Sequence, residues 1–86
     1  MFVIVCYDIH AKRVQKALKI CRKYLRPVQR SVFEGMITEA KLKKLSDEFY
    51  HLIDPHYDSV RIYLIQSLKY TSKQEIGVKA LGGNIL

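Results

Sequence analysis

Two stretches of this chain repeat their apolar residues at helical spacing, and short runs rich in β-branched and aromatic residues stand before and after each. No other feature limits the possible folds as much. From Ala11 to Leu25, the residues Val14, Ala17, Leu18, Cys21, Tyr24 and Leu25 follow a 3.6-residue period, while Lys12, Lys16, Lys19 and Lys23 fall on the opposite face. Leu42, Leu45, Phe49, Leu52 and Ile53 repeat in the same way, with Thr38 placed as N-cap, Glu39 in the first turn and Asp54-Pro55 just beyond the end. Phe2 to Tyr7 has the length and apolar character of a buried central strand and stops at Asp8. Pro27 ends the first helix, and Val28 to Ile37 reads as a hairpin with Glu34-Gly35 as its turn or bulge. In Ser59 to Gln66, Val60, Ile62 and Leu64 share one face, and Arg61, Tyr63 and Ile65 the other.

The resulting order is βαββαβ. Right-handed crossovers then leave an α+β sandwich of the ferredoxin-like type, with both helices on one face of a mostly antiparallel sheet. Residues 1–86 form a single domain, and a domain of 86 residues buries only about 60% of its unfolded surface, so a second copy is expected to complete the core as a homodimer. The segment 74–86 lies outside the βαββαβ unit. Ile76, Val78, Leu81, Ile85 and Leu86 make it apolar while Gly77, Gly82 and Gly83 keep it non-helical, so it is expected to add an extra C-terminal strand that packs on the partner chain.

The start of the chain has no basic region leading into a cleavage site, and no apolar run approaches the roughly 18 residues of a membrane span, which points to a cytoplasmic protein with no membrane partner. Cys6 and Cys21 lack the paired spacing of a zinc or redox site and read as buried free thiols. The net charge of +7 is unevenly spread. Between Ile9 and Phe33 stand Lys12, Arg13, Lys16, Lys19, Arg22, Lys23, Arg26 and Arg30 with no acid, whereas the rest of the chain carries seven cations and eight acids. A solvated helix face usually mixes signs, so an acid-free block of this length favours a surface for nucleic-acid phosphates, DNA or RNA.

Asp8, an acid ending a buried strand beside the basic helix, is the first candidate for chemistry. It can hold a hard cation such as Mg²⁺, and a twofold axis near it would bring a second carboxylate to the same ion. The competing reading makes Asp8 a cap of the first helix or the partner of a nearby lysine. His10 reads as an exposed loop histidine, and His51, Asp54, His56 and Asp58 match no zinc spacing, so loop polarity accounts for them. In the hairpin, Arg30, Ser31 and Phe33 offer a guanidinium, a hydroxyl and a ring to a sugar-phosphate backbone, with core packing an equal claimant for Phe33.

Three segments in order, Val3-Ile4-Val5-Cys6-Tyr7-Asp8-Ile9, Val28-Gln29-Arg30-Ser31-Val32-Phe33-Glu34-Gly35 and Asp58-Ser59-Val60-Arg61-Ile62-Tyr63-Leu64-Ile65, make the chain resemble the CRISPR-associated protein 2 family across essentially its full length. The resemblance implies a homodimer in which Asp8 of each chain is the catalytic residue and binds Mg²⁺ or Mn²⁺. It implies metal-dependent endonuclease activity on RNA or duplex DNA within CRISPR adaptive defence, and a CRISPR integrase subunit as partner during spacer acquisition. By motif, Tyr7 neighbours the metal ligand, Arg13 is a phosphate-contacting helix cation, and Ser31 and Phe33 are the hairpin positions. Lys12, Lys16, Lys19, Arg26 and Arg30 complete the expected nucleic-acid-binding set. Pro27 stands where the family usually has an arginine, with Arg26 beside it. Two further readings share the fold: a non-catalytic architectural DNA-binding dimer of the integration complex, and a toxin-type ribonuclease. An RNA-binding module of similar topology would display sheet aromatics, whereas this chain concentrates its cations on a helix.

Overall fold

The computed structural model describes residues 1–65. The expected order is realised as β1 (Phe2–Asp8), α1 (Ala11–Tyr24), β2 (Arg26–Gln29), β3 (Val32–Met36), α2 (Glu39–Leu52) and β4 (Ser59–Ile65). The four strands form one antiparallel sheet in the order β2-β3-β1-β4. The expected C-terminal strand and partner-packing tail at 74–86 lie outside the described residues.

The two periodicities place the core. Val3, Val5 and Tyr7 alternate along β1 onto the helix-covered face and meet Ala17, Ile20 and Cys21 of α1, Phe33 of β3, and Leu45 and Phe49 of α2, with Val60 and Ile62 packed at the margin. Leu45, Val3, Val5 and Cys21 are fully enclosed. Thr38 caps α2 as expected, its hydroxyl accepting from the Lys41 N–H at 3.2 Å, a bond of the kind worth about 1 kcal/mol. The cap of α1 is His10, whose Nδ1 accepts from the Lys12 N–H; Asp8 does not serve there.

The hairpin turns elsewhere than the glycine suggests. Its turn is Arg30-Ser31, and Ser31 sits in the left-handed region at φ 64°. Gly35 lies inside β3, opposite Val3. A Cβ there would come within 3.3 Å of Leu25 Cδ2, so this glycine admits a close neighbour and makes no turn. Pro27 belongs to β2, an edge strand, where a missing N–H is tolerated, and the register to β3 shifts between Pro27 and Gln29.

Candidate functional site

Asp8 is the last residue of β1, opposite Ser59, and it is exposed. Its carboxylate makes no ion pair or hydrogen bond with a described residue. The backbone around it is pinned on three sides. The preceding Tyr7 N–H donates to the Ser31 carbonyl at 3.0 Å, tying the end of β1 to the hairpin turn. The Ser59 pairing ties it to β4. Two residues on, the His10 N–H donates to Asp58 Oδ1 at 2.8 Å.

Asp58 is the residue that sequence reasoning undervalued. Its side chain is buried and takes four hydrogen bonds: Arg13 Nε at 2.6 Å, Arg13 Nη2 at 3.1 Å, and the N–H groups of His10 at 2.8 Å and Asp54 at 2.9 Å. The Arg13 fork, with the two backbone donors, holds this carboxyl well below the usual carboxylate range against the opposing effect of burial. One carboxylate thus fastens the start of α1 to the loop before β4. Arg13, expected among the phosphate contacts, has two of its donors on Asp58 and the pair is largely enclosed.

The other cations of α1 divide cleanly. Lys12, Lys16, Lys19 and Arg22 are exposed and make no ion pair with a described residue. Lys23 is bound to Glu48 of α2, whose other oxygen accepts from the Tyr24 hydroxyl at 2.7 Å. These two donors, Lys23 first, lower the Glu48 carboxyl. Arg30 is exposed at the hairpin turn, whereas Arg26 reaches back to the buried Glu34 at 3.2 Å. Tyr7 is buried, its ring 6.3 Å from that of Phe33 and 6.1 Å from that of Phe49. Burial pushes its phenol up, with the nearby half-buried Ser31 acting in the opposite direction. Phe33 is fully buried and serves the core.

The polar loop cluster divides among local tasks. Asp54 Oδ1 accepts from the His56 N–H, His51 Nδ1 meets the Asp47 carbonyl, and Asp58 faces Arg13. Among the described residues no three His, Cys, Asp or Glu side chains come together as a ligand cluster. Cys21 is a buried free thiol pushed up to about 12 by desolvation, and Cys6 is half-buried and free. No described helix is long and apolar enough to cross a membrane.

Residues 1–73 match the family model described as CRISPR associated protein Cas2. The chain is 48% identical over 79 residues to the CRISPR-associated endoribonuclease Cas2 of Thermotoga maritima, covering 92% of this chain and 91% of that protein. It is 45% identical over 86 residues to a protein of the same description from Thermodesulfovibrio yellowstonii, covering 99% and 98%. A crystal structure of a Cas2 protein superposes with a TM-score of 0.80 at 35% identity, covering 91% of this chain and 87% of that one.

Proposed function

The chain belongs to the Cas2 family of CRISPR-associated proteins, and from that premise we propose that it is a metal-dependent endonuclease acting on RNA as a homodimer, with Asp8 as its catalytic carboxylate. The observation that carries the reading is the exposed Asp8 carboxylate, bound to no described residue, at the end of a strand whose backbone is fixed on three sides.

The donor chemistry of Asp8 fits the group it would hold. Mg²⁺ or Mn²⁺ takes oxygen ligands, keeps several waters and needs only one or two carboxylates. A second copy related by a twofold axis would supply the second one. When bound, such an ion lowers the pKa of a coordinated water and neutralises charge on the scissile phosphate. The chain's own residues do the rest. Ser59 pairs with Asp8 and Asp58 holds the His10 N–H just beyond it, so the carboxylate is presented from a fixed backbone. Lys12, Lys16, Lys19 and Arg22 track the strand's phosphates, and Arg30 meets them at the hairpin turn. Duplex DNA as a second substrate, and an integrase subunit as partner in spacer acquisition, belong to the same proposal on the strength of the family alone.

Asp8→Asn keeps size and hydrogen-bonding capacity and removes the charge. Folding and nucleic-acid binding survive, while Mg²⁺- or Mn²⁺-dependent cleavage falls at least about a hundredfold, because charge neutralisation and water activation supply several kcal/mol of barrier lowering. Equal cleavage by wild type and variant would place the active site elsewhere. Binding of DNA and an integrase by both, with no cleavage by either across metals and pH, would replace the enzyme by an architectural dimer.

A further inference from the structure

A cleft of about 620 Å³ opens between the first turns of α1 and the β2–β3 hairpin, a size within the usual range for small-ligand pockets. Its lining is largely apolar: Val14 and Leu18 from α1 and Pro27 from the hairpin are accessible members, with the buried Tyr7 and Phe33 beneath them. The carboxamides of Gln15 and Gln29, both exposed, stand at the rim, where each presents a donor and an acceptor. Arg30 is the one cation of the lining, and the lining includes no acid. A ligand suited to these features has flat apolar faces, polar edges and a negative tail.

We propose that this cleft receives one unpaired base of a single-stranded nucleic acid, with the adjoining phosphate at Arg30. The inference rests on the reading of nucleic acid as the substrate and names a subsite for it on the helix-covered side of β1, the side that Tyr7 of the lining faces while the next residue, Asp8, faces the other. A base lodged between Val14 and Pro27 leaves its sugar-phosphate backbone at the hairpin, beside Arg30. Paired bases cannot enter. Their faces are stacked and their edges engaged, whereas unstacked bases offer both to a protein. The mouth is held in shape by the hairpin, since the Ser31 carbonyl accepts from the Tyr7 N–H at 3.0 Å while Ser31 sits at φ 64°. That bond keeps Arg30 beside the opening.

The test uses the full chain in EDTA, so that binding is read without cleavage and its outcome is independent of any metal chemistry. Three probes are compared: hexauridylate, the same strand with abasic sugars at every position, and a blunt-ended RNA duplex. The methyl resonances of Val14 and Leu18 are expected to shift on adding hexauridylate and to stay in place with the other two. Affinity is expected to fall about fivefold or more from hexauridylate to the abasic strand, the lower end of what one stacked base contributes. Methyl shifts that are absent with hexauridylate, or equal for all three probes, overturn the cleft as a base site. Because no divalent metal is present, a protein that never cleaves can still pass, and a cleaving protein whose methyls do not respond fails.

Discussion

The division of α1 into bound and free cations makes the salt dependence of nucleic-acid binding a sharp measurement. Of the six cations on α1, Arg13 is committed to Asp58 and Lys23 to Glu48, leaving Lys12, Lys16, Lys19 and Arg22 for phosphates. Each phosphate neutralised on a single strand contributes about 0.7 to the slope of log K against log[salt]. Lys16→Gln together with Lys19→Gln should therefore flatten that slope by about 1.4 for each protomer on the strand, or about 2.8 when a pair of protomers shares it. Lys23→Gln should leave the slope where it was, since its charge already faces a carboxylate, although it removes as much formal charge as either of those substitutions alone. Fluorescence anisotropy with a labelled single strand, from about 50 to 300 mM salt, reads the slope directly. Equal flattening by Lys23→Gln and by Lys16→Gln would refute the assignment, and an unchanged slope in the double variant would remove α1 as the binding face.

Asp58→Asn should lower the melting temperature at neutral pH. Because the folded state holds this carboxyl below its ordinary value, its stabilisation is complete above about pH 4 and fades as pH falls further, so thermal scans of wild type and variant should converge in acid; a gap that widens in acid would contradict the clamp. Leu45, fully buried between α2 and the sheet, should cost about 2–5 kcal/mol when changed to Ala, seen as a lower urea midpoint at an unchanged slope. A loss below about 1 kcal/mol would mean that the core collapses around the gap more freely than its close packing implies.

The elements were legible because they rest on periodicity, which is local. Val14, Ala17 and Cys21, or Leu45 and Phe49, announce a buried stripe without reference to anything distant, and Thr38 announces the start of its helix. The hairpin turn was misplaced because a glycine in a strand and a glycine in a turn look alike in sequence; what separates them is Leu25, ten residues earlier, pressing on Gly35. Ser31, which makes the turn, carries no comparable signal. Asp58 was read as loop polarity for a related reason. Its partner Arg13 is 45 residues away, and nothing near either residue marks the pairing. Asp8 itself stands out as an acid ending a buried strand beside the basic helix, and the order of three motifs adds the metal-binding role by resemblance. The structure adds that the residues two and fifty-one positions onward, His10 and Ser59, are what fix its backbone.

The two margins of the sheet are unlike. β2 has four residues, one of them a proline, and a register break; β4 has seven and pairs with β1 without a break in register. A strand arriving at β2 would find an interrupted row of donors, whereas one arriving at β4 would find a continuous row. Among the described residues, strand addition is therefore favoured at β4 over β2. In a sheet with one receptive margin, repeated edge-to-edge stacking has nowhere to continue.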